Sequence, residues 1–347
     1  SINKRIKLIM AYTTINKSSD HVKNIKYSGT DNSNAITGVG FQPDFTWIKN
    51  FSTASFAMQD VVRGVDKTIR SNSSSPQYTN SFFTSFDSDG FTVATSETDV
   101  NAASQIYASF NWKASGGTTS SNTDGSITST VSANVASGFS IIKYTGTGSN
   151  ASIGHGLGVK PAMIMIKNLA TSGEDWAVYH KALGGYNKYL KLNSTSAESD
   201  NTDRFNAEPT IDVVNIGSVN ETNQSGVEFI AYVFAEKQGF SKFGSFSAAN
   251  PGFRFTGFRP SFVMLKRYNA TGGWHGISDI VENTYNPQNP MILNENYGWQ
   301  AETFNLVSNG FQITNGGGGS GGDSGYYVYY AVGQPLVGTN NIPSNAR

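Results

Sequence analysis

The sequence contains no cysteine. That absence excludes disulfides, thiolate metal ligation and thiol nucleophiles in one step, so stability has to come from cores and interfaces. No run of about 18 apolar residues occurs, and nothing reads as a membrane-spanning helix. Charge is scarce and balanced: 14% of residues are charged, with 25 Lys and Arg against 25 Asp and Glu. Without net charge there is no broad field for nucleic acid or an anionic membrane, and neither partner is expected. Long 3.6-residue apolar periodicity is missing, as is a G-x-S-x-G nucleophile motif. The opening residues Ser1 to Met10 are basic in part but lack the apolar stretch and small-residue cleavage site of a signal peptide. Ser1 is no ordinary initiator, so either the chain is processed or the start is Met10, with nine residues from an extended reading of the gene.

What is present in excess is glycine (37 residues) and aromatic side chains (22 Phe, 16 Tyr, 5 Trp). Short β-branched and aromatic runs alternate with Gly/Ser/Asn/Thr clusters, the texture of antiparallel β structure. One pattern occurs three times. Gly40-Phe41-Gln42-Pro43 leads into Asp44-Phe45-Thr46-Trp47-Ile48-Lys49-Asn50, Gly158-Val159-Lys160-Pro161 into Ala162-Met163-Ile164-Met165-Ile166-Lys167-Asn168, and Gly257-Phe258-Arg259-Pro260 into Ser261-Phe262-Val263-Met264-Leu265-Lys266-Arg267. Gly and Pro fix a turn, Pro opens a strand where its missing N–H does no harm, and the apolar run supplies a core strand. The lysine is expected where that strand emerges into solvent.

Other features recur around this signature. Ile25-Lys26-Tyr27-Ser28-Gly29 and Ile142-Lys143-Tyr144-Thr145-Gly146 predict a shared opening strand, and Phe56, Trp176 and Trp274 are expected to face the core. Strands ending in Asn follow at Ile69–Asn72, Leu190–Asn193 and Ile292–Asn294. Asp-Gly and Asn-Gly hairpins are predicted at Asp89-Gly90 and Asn309-Gly310, with a degraded match at Val213–Gly217. Aromatic closing strands appear at Tyr107–Trp112, Phe229–Phe234 and Tyr327–Val332.

The expected fold is all-β: three tandem antiparallel β-sandwich repeats of jelly-roll or lectin-like kind. Residues 1–24 form an N-terminal arm that needs a partner surface, 25–113 the first sandwich, 139–239 the second, 240–335 the third, and 336–347 a tail. Residues 114–138, dominated by Ser, Thr, Gly and Asn, form a linker able to lie along a neighbouring surface as an extended strand. The second and third sandwiches are expected to pack rigidly, and the first to have more freedom.

Each candidate site also has a structural reading. Asp87-Ser88-Asp89-Gly90 resembles the start of a calcium loop, but Thr98 stands where the bidentate Glu belongs, which favours a plain hairpin. Gly316–Gly322 has no following helix or Lys and reads as a loop. His21, His155, His180 and His275 fall at unrelated repeat positions. Glu174, Asp175, Asp60 and Asp279 lie near equivalent loops without forming a recognisable glycosidase pair. No catalytic residue, metal ligand or cofactor is assigned. Loop aromatics are the better binding signal, because pyranose C–H faces stack on rings. Tyr285, Tyr297 and Trp299, with His275, are the candidate glycan contacts. The alternative is that Trp299 and Tyr285 cover the sandwich or an intersubunit seam.

Several segments together resemble a group of tailed-bacteriophage virion proteins. They are Met10–Lys17, Gly38–Asp44 with Trp47–Asn50, Thr84–Phe91, Asn122–Ile127, Phe234–Gly239 and Asn341–Pro343. The resemblance covers nearly the whole chain from Met10. It implies a structural role in the virion as a tail fibre or appendage, with other virion proteins and copies of itself as partners, a trimer on the likeness to phage fibres. Such a protein is assembled in the host cytoplasm and is extracellular in the particle. Host surface polysaccharide is the expected external contact. A capsid decoration protein and a polysaccharide depolymerase are the alternative readings. No catalytic residues carry over.

Overall fold

The computed structural model describes residues 12–51, 56–94, 97–248, 252–280, 286–295, 303–315 and 325–337. It is nearly all β, built of several antiparallel sheets of sandwich type. Three large sheets share one strand succession: opening, closing, signature, then the strand after the signature. In the first sheet these are Val22–Ser28, Ile106–Trp112, Phe45–Asn50 and Ala57–Asp60. In the second they are Phe139–Thr145, Glu228–Ala235, Pro161–Asn168 and Ala177–His180, and in the third Ser241–Ser247, Tyr326–Pro335, Phe258–Arg267 and Trp274–Ser278. Opening and closing strands are riveted by ring pairs at matching positions: Tyr27–Tyr107 at 5.1 Å, Tyr144–Phe229 at 5.1 Å and Phe246–Tyr327 at 5.4 Å.

The signature turn follows its chemistry. Gly40, Gly158 and Gly257 hold φ of 84°, 65° and 85°, a left-handed backbone that penalises any Cβ. Pro161 starts the pairing with its closing strand and Pro260 is the third residue of its own, and the register shifts by one residue beyond each. A residue without an N–H is accommodated at such a bulge.

Because side chains alternate along a strand, each signature strand serves two cores. Phe45 and Trp47, Met163 and Met165, and Phe262 and Met264 all leave on one face and join a single buried cluster. Trp112, Phe234 and Tyr330 meet them there, and no room for a water molecule remains among them. Ile48, then Ile164 and Ile166, then Val263 and Leu265 leave on the opposite face into three separate clusters. Each of these lies beneath a small sheet: Asn34–Ile36 with Gly90–Val93 and Phe83–Asp87, Ala151–Gly154 with Val213–Ile216, and Phe253–Phe255 with Gly310–Asn315 and Thr303–Val307. Phe56, Trp176 and Trp274 are buried in the shared hub, as their spacing predicted.

Two expectations change. Contacts of Phe45 with Tyr232 at 4.3 Å, Phe110 with Phe262 at 4.9 Å and Phe234 with Tyr330 at 5.3 Å join every pair of large sheets, so the first is held as closely as the others. The segment 114–138 is built into the second sheet, where Ser129–Asn134 pairs with the opening strand and Ser120–Asn122 extends the edge. Its start is fixed by Asp44, whose carboxylate accepts from the amides of Ala114 (2.6 Å), Gly116 (2.9 Å) and Gly117 (2.5 Å). The N-terminal arm finds its partner surface on the third sheet: Ile15 is in the hub, and Ser18 donates to Gln334 Oε1 at 3.1 Å.

Sharing one hub makes the sheets interdependent. Met165→Ala is expected to cost about 2–5 kcal/mol and to shift a single unfolding transition, as read by denaturant titration with fluorescence and circular dichroism in parallel. Separate transitions for the two signals would contradict the shared core.

Candidate functional site

The most regular polar feature sits six residues beyond each signature proline. Lys49, Lys167 and Lys266 do not emerge into solvent; all three are buried. Lys167 Nζ donates to Ser74 O at 3.1 Å and Glu174 O at 2.6 Å, and Lys266 Nζ donates to Thr195 O at 3.0 Å and Gly272 O. Each therefore ties the loop after the Asn-ended strand of one repeat to the next repeat. Lys49 Nζ lies over the Phe56 ring at 4.3 Å. Burial pushes Lys49 and Lys167 down to about 8 and Lys266 to about 7. A strand-end lysine looks solvated in sequence; the only available signal was its return at one fixed position in all three copies.

Tryptophan N–H groups make the same joints. Trp176 Nε1 donates to Arg70 O at 3.0 Å and Trp274 Nε1 to Lys191 O at 2.9 Å. Phe56 has no such donor, and at the remaining junction Ser71 Oγ donates to Leu293 O at 2.8 Å. A buried cluster adds to the first junction: Arg63 Nε meets Asp60 Oδ2 at 2.5 Å, and Tyr232 Oη donates to the same oxygen at 2.7 Å.

Three of the four histidines, His155, His180 and His275, are interior fittings. His180 Nδ1 accepts from Ala182 N at 3.2 Å, so Nε2, 3.1 Å from Tyr329 O, is the donor. Burial lowers its pKa to about 4. In the same way His155 Nδ1 accepts from Leu157 N at 3.1 Å. His275, chosen as a glycan contact, lies in Trp274–Ser278 at 3% exposure, and burial lowers its pKa to about 3. Its ring is not presented to a ligand. Tyr285, Tyr297 and Trp299, and the glycine run 316–322, lie outside the described residues.

Several carboxylates are likewise engaged. Asp89 accepts from Gly38 N at 3.0 Å and Gly40 N at 2.6 Å, bracing the first signature turn, and Asp87 accepts from Thr92 Oγ1 at 2.7 Å. Asp175 bridges to Lys191 at 2.6 Å, and Asp279 lies 3.9 Å from Arg259. With Asp60 on Arg63, three of the four carboxylates weighed for glycoside hydrolysis each face a different cation. Among the described residues no group of three His, Asp or Glu is placed to hold a metal ion.

Two surface depressions stand out. One of about 280 Å³ is lined by Arg70, Ser73, Ser75, Pro76, Gln77 and Tyr78, where Arg70 covers the Tyr78 ring at 4.9 Å and bonds Asp99. The other, about 430 Å³, lies between the arm and the start of the third repeat, with Tyr12 and Phe255 on its walls.

Fold and polar layout thus define an all-β chain of sandwich type whose interior polar groups join sheets. Residues 17–335 match the family described as a domain of unknown function, DUF7483, and the chain belongs to that family. No curated protein and no solved structure matches it.

The lysines set a pH dependence. A folded pKa near 7 to 8 against about 10.4 in the unfolded chain means that the unfolded state holds more protons between those values. Stability therefore rises with pH across that window, by at most about 1.4 kcal/mol per pH unit for each lysine. Lys266→Met is expected to flatten the rise from pH 7 upward, measured by denaturant midpoints at pH 6, 8 and 9.5. An unchanged slope would show that Lys266 titrates normally.

Proposed function

We propose that this chain is a structural protein of a tailed-bacteriophage virion, a tail-fibre or particle-appendage component that acts without catalysis and meets host surface glycan through its last repeat. The observation that carries the reading is where the ionisable interior is spent. Lys167, Lys266, Asp60, Arg63 and His180 all bond across a junction or brace a group that does. Such an interior favours a coherent block over a reacting centre, since catalytic groups need a cleft that leaves them free to meet substrate. The sequence resemblance to virion proteins supports the same reading and supplies the particle. It also supplies the partners: other virion proteins and two further copies of this chain.

A capsid decoration protein is the second reading. Favouring it is the closure of three like sheets around one hub, a roughly threefold outline in a single chain that suits a threefold position on a head lattice.

Antibody to this chain, imaged on intact virions by negative stain, is expected to label tail or appendage. Label confined to the head lattice would replace the first reading by the second. Light scattering is expected to return the mass of three chains, and a one-chain mass would remove the trimer. New reducing ends after incubation with host polysaccharide would overturn the non-catalytic role.

A further inference from the structure

The third small sheet breaks a rule that the first one keeps. In the first, Ile36 pairs with Phe91 just after the hairpin glycine and points into the core at 5% exposure. The corresponding partner of Phe311 in the third is Arg254, whose guanidinium lies 4.5 Å from the Phe246 ring centroid. Arg254 is partly buried on that side, and Phe253 and Phe255 are turned outward, at 45% and 56% exposure. Large apolar side chains displayed together on a small edge strand mark a contact surface.

Phe255 forms one wall of the depression of about 430 Å³, and Tyr12 forms another. That volume is in the range of small-ligand sites, roughly 300–1,000 Å³. The Tyr12 side chain is seated on two glycines: a Cβ on Gly239 would come within 2.8 Å of its ring, and one on Gly257 within 2.9 Å of its hydroxyl. Around the rings stand Glu236, Gln238, Lys242 and Thr256. Glu236 is already matched, accepting from Lys181 Nζ at 2.6 Å and Phe243 N at 3.2 Å. Lys242 is not: its Nζ donates to Phe255 O at 3.1 Å and lies 5.2 Å from that ring centroid, with no carboxylate partner among the described residues. The site thus offers aromatic faces, amide and hydroxyl partners, and one unmatched positive charge.

We propose that this depression binds a sugar ring carrying a carboxylate, a uronic acid residue of an extracellular polysaccharide. The C–H face of the pyranose lies on Phe255 and Tyr12, its carboxylate meets Lys242 Nζ, and its hydroxyls reach Gln238 and Glu236. Aromatic walls select a ring with an apolar face, and the unmatched ammonium selects an acidic sugar over a neutral one. The proposal deepens the host-contact reading above, on which it rests for the source of the polysaccharide, and places the contact where the third repeat begins.

Calorimetric titration of the full chain with tetragalacturonate, and with a neutral galactose tetrasaccharide as control, tests it. Saturable binding of the uronide is expected, and Phe255→Ala should weaken it about tenfold or more. Lys242→Gln should abolish the preference for the uronide over the neutral sugar. Phe255 is exposed, so an unchanged thermal transition verifies that the variant folds. No saturable binding of the uronide, equal affinity for both sugars, or variants that bind like the parent would overturn the proposal. So would a fall in particle mass on Phe255→Ala, which would make this face a contact between copies. Uronide binding by a chain that labels the head lattice would fail the appendage reading and leave the sugar site standing.

Discussion

A β-strand buried on both faces has to satisfy two sets of neighbours at once, and that constraint, met three times, governs this molecule. On one face Met163 and Met165, Phe262 and Met264, and Phe45 and Trp47 converge on a common hub. On the other, Ile164 and Ile166, Val263 and Leu265, and Ile48 fill three private cores. The residue types divide accordingly. Branched aliphatic side chains dominate the private faces, where they fit a pleated surface between two sheets. The hub takes Met and large aromatics, which adapt to the irregular space left where three sheets meet. An isolated sandwich would expose its hub face to water, so each repeat depends on the other two for the burial of its largest side chains.

Three sheets around a hub leave three junctions, and the backbone there has to be satisfied by side chains, because buried carbonyls without partners are costly. The chain meets this with long donors from the ends of the signature strands and from the strands after them. Lys167 reaches Ser74 O while Trp176 reaches Arg70 O. One junction on, Lys266 reaches Thr195 O and Trp274 reaches Lys191 O. Holding an ammonium in such a place costs desolvation, which is the physical cause of the lowered lysine pKa values. What it returns is register, since a donor of fixed length finds its carbonyls only when adjacent sheets sit at one height.

The all-β fold was legible because its grammar is local. Left-handed Gly40, Gly158 and Gly257 and the alternation after each proline are readable one strand at a time. The hub was not legible, since nothing in a single strand tells whether its second face meets water or another sheet. That ambiguity misplaced the three lysines, which sit where an emerging strand would carry a solvated charge. The 114–138 segment reads as a linker able to lie on a neighbour as an extended strand, and its Ser- and Thr-rich strands go further, joining the second sheet by backbone pairing that composition does not record. On the candidate site, composition pointed to aromatics of the last repeat. His275 proved interior, at a strand position that Ala57 and Ala177 occupy in the other copies. Nothing in Phe253-Arg254-Phe255 signals that the structure turns both phenylalanines outward and leaves Arg254 partly buried.

Where the copies agree and where they part then separates support from recognition. Between the second and third copies, positions that span a junction keep their chemistry: Asn193 Oδ1 and Asn294 Oδ1 accept from the amides of Trp176 and Trp274, at 2.9 and 2.7 Å. One step outward the agreement ends. Asn193 Nδ2 has Asp175 as its partner at 2.7 Å, and Gly273 stands at that position in the third copy, so the Asp175–Lys191 bridge has no counterpart there. The inversion at Arg254 is the same kind of departure carried further, since it exchanges a core aliphatic for an arginine stacked on Phe246 in order to turn two phenylalanines outward. A sheet needed only for support would gain from burying those rings, as the first sheet buries Ile36. Their display is a cost to folding, and it is this departure that the proposed sugar site would explain.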